Sequence, residues 1–387
     1  MFNSVLVVRH RLLIVAPALA SLAALAAAAA GVACGETPAD FAASGVWKRL
    51  PTSPIAPEYS SATSVWTGKQ VLVFGTNRGV SLAAALDPAT GTWHRLPDAG
   101  PAGTFPPYQA VWTGREMLVW GQGLRKGFDP RTDTWRQLPG SPLLRIHEGH
   151  GLVVWTGKEM IGWGGGCCGD AFSDGVSYNP TSNRWRALSR GPLAGSQHPI
   201  GAWTGRELIV LVGNVDPNGK SWPARFARAA AYSPVTNTWR RIAPLPAERE
   251  GASAVWDGRE LLVVGGGVPR NDRPPTPART GLAYNPVTNS WRQIAPLATG
   301  RTGGVALWTG RRLLLWGGQS VPKGTPLRSG VAYDPKLDRW SALPQAPLPA
   351  RIEPTGVWTG KQMVVWGGVR TASGAYRAVG AALATAP

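Results

Sequence analysis

The tripeptide Trp-Thr-Gly occurs at 66–68, 112–114, 155–157, 203–205, 308–310 and 358–360, and Trp256-Asp257-Gly258 is a seventh copy. Successive copies lie 46, 43, 48, 53, 52 and 50 residues apart. A period near 50 makes each copy one supersecondary unit, which must stack on its neighbours to bury its apolar face. After the glycine comes a basic residue, one further residue and a short apolar run, as in Lys69 to Phe74, Arg115 to Trp120 and Lys361 to Trp366. Glycine pairs usually close the run, as at Gly265-Gly266, Gly317-Gly318 and Gly367-Gly368, whereas unit 4 has Val212-Gly213.

A second motif follows in each unit: an aromatic residue, any residue, proline, four residues and tryptophan. It reads Phe128-Asp129-Pro130 to Trp135, then Tyr178 to Trp185, Tyr232 to Trp239, Tyr284 to Trp291 and Tyr333 to Trp340, with a weaker Leu86-Asp87-Pro88 to Trp93. Four strands per unit account for both motifs. Strand a ends at Trp-Thr-Gly, where glycine supports a tight turn. Strand b is the apolar run, short and bounded by glycine as a buried strand should be. Strand c runs into the Tyr-x-Pro turn, and strand d begins near the second tryptophan. High glycine and proline content (49 and 35 of 387 residues) agrees with turns rather than long helices. Four short strands repeating with Gly and aromatic markers read as propeller blades.

In aggregate these motifs resemble kelch-repeat β-propellers, across roughly residues 45–385. The resemblance implies an all-β, seven-bladed propeller of four-stranded blades and a habit of binding through loops. It implies no single activity. The last unit supplies strands a, b and a strand c within Arg377 to Ala384, and then the chain stops. Gly45-Val46-Trp47-Lys48-Arg49-Leu50-Pro51 matches the strand-d pattern of Thr92 to Pro97, so the N-terminal strand is expected to complete blade 7. Closure removes sheet edges that would otherwise pair with other chains. The 19 tryptophans test this frame. Seven stand in Trp-Thr/Asp-Gly, seven open strand d, and Trp120, Trp163, Trp316 and Trp366 lie eight residues after the first slot. These are expected in the core; only Trp222 stands outside.

Arg9, His10 and Arg11 precede an apolar run from Leu12 to about Ala33, the parts of a secretory signal. Gly31-Val32-Ala33-Cys34-Gly35 resembles a bacterial lipobox, with Gly31 where an aliphatic residue is usual. That resemblance implies residues 1–33 as signal, Cys34 as the lipidated residue, 34–44 as a linker and 45–387 as the propeller. Plain cleavage and a retained anchor are the alternatives. The expected location is the cell envelope, periplasmic or surface, or the exterior.

The formal net charge of +18 suits an anionic partner, and export argues for an acidic glycan or a protein over nucleic acid. The a–b and c–d turns share one rim and are uniform; the b–c and d–a connections share the other and vary in length. Variable loops on a rigid scaffold are where recognition sits, so the b–c/d–a rim is the expected binding face. Arg249, Arg301 and Arg351 each stand seven residues before a first-slot tryptophan, at equivalent places on that rim. With Arg225 and Lys220 they could hold carboxylate or sulfate; solvated loop charge is the alternative. Trp222, among polar and basic residues, could stack on a sugar ring or fold back on a blade.

Cys167 and Cys168 are adjacent on the b–c loop of unit 3, open to a vicinal disulfide, free thiols or metal. His147, His150 and His198 share their rim, but match no compact zinc spacing. Galactose-oxidase-like propellers hold copper with a Tyr-Cys pair, a second Tyr and two His. Here four of seven tyrosines sit in structural Tyr-x-Pro slots. No paired acids or Ser/His/Asp set stands out, so the chain is expected to bind as a monomer, without cofactor, with membrane contact only through its N-terminus. A carbohydrate-active enzyme on the same rim is the runner-up.

Overall fold

The computed structural model describes residues 45–58, 62–102, 108–121, 123–143, 151–166, 170–213, 228–247, 249–270, 273–370 and 377–384. They form seven antiparallel sheets and no helix. Six of the sheets are meanders in chain order, and the seventh takes its outer strand from the N-terminal end of the described chain. Blade 3, for example, runs Leu152–Trp155, Met160–Trp163, Gly175–Asn179 and Arg184–Ala187. Blade 5 carries a fifth strand, Arg273–Pro277, paired to the end of its long strand b, Leu261–Arg270.

The strands a are Thr63–Trp66, Gln109–Trp112, Leu152–Trp155, Ile200–Trp203, Glu250–Trp256, Arg301–Trp308 and Thr355–Trp358. Each touches the next, and the last touches the first, so they form the inner ring of a closed propeller. Strand b is buried on both faces, as its continuous apolar run requires, while strand d is the exposed outer edge.

Closure follows the expected route. Val46–Arg49 pairs antiparallel with Gly380–Ala384 in the register Trp47↔Leu383, as strand d of blade 7. The tryptophans divide by slot. Trp120, Trp163, Trp316 and Trp366 are at most 2% exposed, whereas the first-slot and strand-d tryptophans are half-buried. The strand-d indoles clasp neighbouring blades. Trp93, Trp135, Trp185, Trp239, Trp291 and Trp340 donate Nε1–H to the carbonyls of Pro51, Pro97, Pro139, Ser189, Ala243 and Ala295, at 2.7–3.1 Å. Trp47 completes the circle by donating to Pro344 at 2.8 Å.

The a–b turn explains the tripeptide. Thr113 Oγ1 accepts the backbone N–H of Arg115 (3.2 Å) and Glu116 (2.9 Å), and Gly114 holds φ of 91°. Asp257 Oδ1 makes the same two bonds to Arg259 and Glu260, which is why aspartate can replace threonine there.

Candidate functional site

Two rims follow from this topology, and they differ in regularity. On the b–c/d–a rim the blade 5 hairpin extends the sheet, with Gly267 opposite Pro277 and Val268 opposite Thr276. Beside it lies a groove of about 310 Å³ between blades 5 and 6, lined by Gly251, Gly267, Thr302, Gln319, Ser320, Val321, Pro322 and Gly324. The glycine pairs build this rim. Gly165 N–H donates to Ser196 O (2.8 Å) and Gly318 N–H to Arg351 O (2.7 Å), each reaching the next blade. A Cβ at Gly265 would meet Arg301 O at 2.4 Å, so that close approach excludes any side chain.

Arg249, Arg301 and Arg351 do occupy equivalent places, but inside the rim. Arg301 is 4% exposed and Arg351 1%. Arg301 Nη1 donates to Gly317 O (3.3 Å) and Ser329 O (2.9 Å), and Nη2 donates to Ser329 Oγ (3.2 Å). Arg249 donates to Gly265 O at 3.4 Å, sixteen residues on, as Arg301 does to Gly317. Arg351 donates to Ala350 O at 3.3 Å. Burial lowers the Arg301 guanidinium to about 10 and lowers Arg249 as well. These arginines brace the backbone from which the loops spring. Lys220, Trp222, Arg225, His147, His150, Cys34, Cys167 and Cys168 lie outside the described residues. His198 is exposed on the rim, and among the described residues no cluster of three His, Cys, Asp or Glu could hold a metal.

The opposite rim carries a polar latch that the sequence reading missed. In blades 2 to 5 the residue just before strand b is Glu116, Glu159, Glu207 or Glu260, and it grips an arginine of strand d in the same blade. Arg136, for example, reaches Glu116 through Nε (2.8 Å) and Nη2 (2.7 Å). Each arginine then donates to a tyrosine of the next blade: Arg136 to Tyr178 (3.0 Å), Arg186 to Tyr232 (2.9 Å), Arg240 to Tyr284 and Arg292 to Tyr333. Those tyrosines donate to Asn183, Asn237, Asn289 and Asp338 at 2.6–2.8 Å. All four acceptors sit at φ of 45–53°, the left-handed region that Asn and Asp tolerate.

The latch is all or none. Where the next blade offers no phenol at the tyrosine position, neither the glutamate nor the arginine is present. Blade 1 has Gln70 and His94 facing Phe128; blade 6 has Arg312 and Ser341 facing Leu383; blade 7 has Gln362 and Lys48 facing Leu86. A guanidinium without its acceptors would be buried at a cost, so the three residues change together.

Burial holds the four latch phenols above their ordinary pKa, and the Asp338 carboxylate adds to this at Tyr333. An acid raised in the folded state contributes stability that is complete below its unfolded pKa and is lost as pH rises through the folded value. Folding should therefore weaken above about pH 10, the ordinary tyrosine value. Buried Arg301 and Arg249 act in the opposite direction, but they are two groups against four. Absorbance titration should show four of the seven tyrosines staying neutral past that point and ionising together with unfolding. Ionisation of all seven at ordinary values in folded protein would contradict the latch.

Seven like-built sheets in a closed ring define a seven-bladed β-propeller. Comparison with known proteins adds the repeat type. The Kelch motif family model matches residues 248–298, which span blade 5. Kelch-like protein terF of Aspergillus terreus is 26% identical over 169 residues, 44% of this chain and 34% of that protein. Beta-scruin of Limulus polyphemus is 26% identical over 143 residues, covering 36% of this chain and 15% of its own length. Kelch-like protein 25 of Xenopus tropicalis is 30% identical over 145 residues, again 36% of this chain and 22% of that protein. The matches span about a third or less of these relatives. The chain is a seven-bladed β-propeller with a Kelch motif in blade 5 and similarity to kelch-like proteins, a fold that suits an interaction module.

Proposed function

We propose that this propeller is an exported binding module, tethered through Cys34, that recognises an extracytoplasmic protein or an acidic glycan on its b–c/d–a rim. The observation that carries the reading is the irregularity confined to that rim. The blade 5 hairpin extends past the common sheet and flanks the groove lined by Thr302, Gln319 and Ser320. Loops of unequal length on a rigid ring can diverge without disturbing the core. The basic start at Arg9 and Arg11, the apolar run and the Gly31 to Gly35 segment support export and tethering.

The test is a glycan array probed with the full chain at two salt concentrations. Two variants accompany it: one with Val268–Thr276 replaced by a two-residue turn, and Thr302→Trp, which fills the groove. Binding to acidic glycans that falls at least ~tenfold in both variants, about 1.4 kcal/mol, with thermal unfolding unchanged, supports the reading. Binding indifferent to both overturns it. Radiolabelled palmitate should follow the chain and not its Cys34→Ala variant.

A further inference from the structure

We infer that the opposite, short-turn face is a docking surface for an anionic lipid bilayer. The first observation is a complete circle of charge. The residue after each a–b glycine is Lys69, Arg115, Lys158, Arg206, Arg259, Arg311 and Lys361, one per blade, and all seven are exposed. Because strands a form the inner ring, these turns encircle the axis. The face is also level: six of the seven a–b connections and all six c–d turns, those of blades 1 to 6, are four residues long.

In blades 4 to 6 the acids on this face are engaged within the protein. Glu207 and Glu260 hold Arg240 and Arg292, Asp334 holds Arg312, and Asp257 caps backbone N–H groups. Arg115 pairs with Asp129 at 3.4 Å, whereas among the described residues Lys69, Lys158, Arg259 and Arg311 have no carboxylate at ion-pair distance. The circle therefore presents net positive charge outward.

The second observation is apolar. Val235 and Val287 are each 91% exposed and Leu337 is 55% exposed. They stand at the tips of the c–d turns of blades 4, 5 and 6, outside the charged circle on the same face. Aliphatic tips give a soluble polyanion nothing to bind, but they suit insertion beneath lipid headgroups. Between blades 5 and 6 an open cleft of about 810 Å³, flanked by Arg259, Arg311, Lys336 and Trp308, offers a seat for a phosphate headgroup. The third observation is connectivity. Strand d of blade 7 starts at the c–d end, so the chain enters the propeller on this face at Val46. This docking requires neither a lipid on Cys34 nor the binding proposed for the other rim.

Amide hydrogen exchange of the full chain tests the proposal, with phosphatidylcholine vesicles compared against vesicles containing phosphatidylglycerol. Any attachment through the N-terminal segment is common to both. The a–b and c–d turns of blades 4 to 6 should slow at least ~fivefold with the anionic lipid alone, and recover in high salt. Neutralising Arg206, Arg259 and Arg311 to Gln should weaken this anionic contact by about a hundredfold, at about fivefold per cation. Val235→Asp with Val287→Asp should also abolish it. Thermal unfolding checks that both variants remain folded. Protection that is equal on both vesicles, absent, or confined to the b–c/d–a rim overturns the proposal. So does polyphosphate reproducing the protection irrespective of the two valines, which would identify a soluble polyanion as the ligand.

Discussion

Deletion of residues 45–51 should make unfolding broad and early. The segment contributes a whole strand of blade 7, hydrogen-bonded from Val46↔Ala384 to Arg49↔Ala381. Leu50 N–H adds a bond to Gly380 O, and Ser53 N–H one to Ala378 O, both at 2.9 Å. Trp47 packs its indole against Trp316 at 6.1 Å and donates to blade 6. Leu50, 5% exposed, fills the space against Gly380. Truncating a buried Trp or Leu costs about 2–5 kcal/mol each, and a domain's entire margin is about 5–15 kcal/mol. Deletion also bares the Gly380–Ala384 edge, which invites pairing between chains. Denaturant unfolding followed by tryptophan fluorescence, with light scattering for association, measures both. An unchanged midpoint and slope would show that closure lies elsewhere.

The ring was legible because its markers recur at fixed intervals. Trp-Thr-Gly encodes a turn that needs a small oxygen acceptor and a left-handed residue, and Asp257 shows that the chemistry outranks the letter. Trp47 could be placed by its likeness to Trp93. The rim arginines illustrate the limit. Spacing put Arg249, Arg301 and Arg351 at equivalent positions, but it cannot say whether a long side chain turns outward or folds back onto a carbonyl. Arg301 folds back onto the carbonyls of Gly317 and Ser329 where the chain leaves the sheet, and Ser329 O accepts the Gly317 N–H as well.

The latch escaped for a different reason. Glu116 and Arg136 are 20 residues apart and Tyr178 is 42 further on, so no local window holds the three. A signal was available: Glu follows Trp-Thr/Asp-Gly-x, and Arg follows the strand-d tryptophan, in blades 2 to 5 and in no others. The interfaces without the latch are the three around the closure, 6–7, 7–1 and 1–2. There strand c of blade 7 ends the described chain and Leu86 or Phe128 replaces the tyrosine. The indole clasps common to all seven interfaces and apolar packing hold those three, including Trp93 against Trp366 at 5.9 Å.

Blade 6 shows what replaces the latch, and Asp334→Asn should expose its cost. Arg312 stands in the glutamate slot with 5% exposure, and its Nε meets Asp334 Oδ2 at 3.2 Å, itself 8% exposed. Asp334 also caps its own turn by accepting from Lys336 and Leu337 N–H. Asparagine preserves that cap, as Asn179 and Asn285 do at the same position in blades 3 and 5. The substitution thus removes charge and leaves the turn. A buried guanidinium stripped of its counter-charge should destabilise by about 3–5 kcal/mol. Combining it with Arg312→Gln, the residue type that blades 1 and 7 use in this slot, should recover most of that loss, because neither partner is then charged. Denaturant midpoints of the two singles and the double measure the coupling directly. If Asp334→Asn alone proves neutral, water reaches Arg312 and the pair is a surface contact. If the double is as unstable as the single, the turn rather than the charge governs this position.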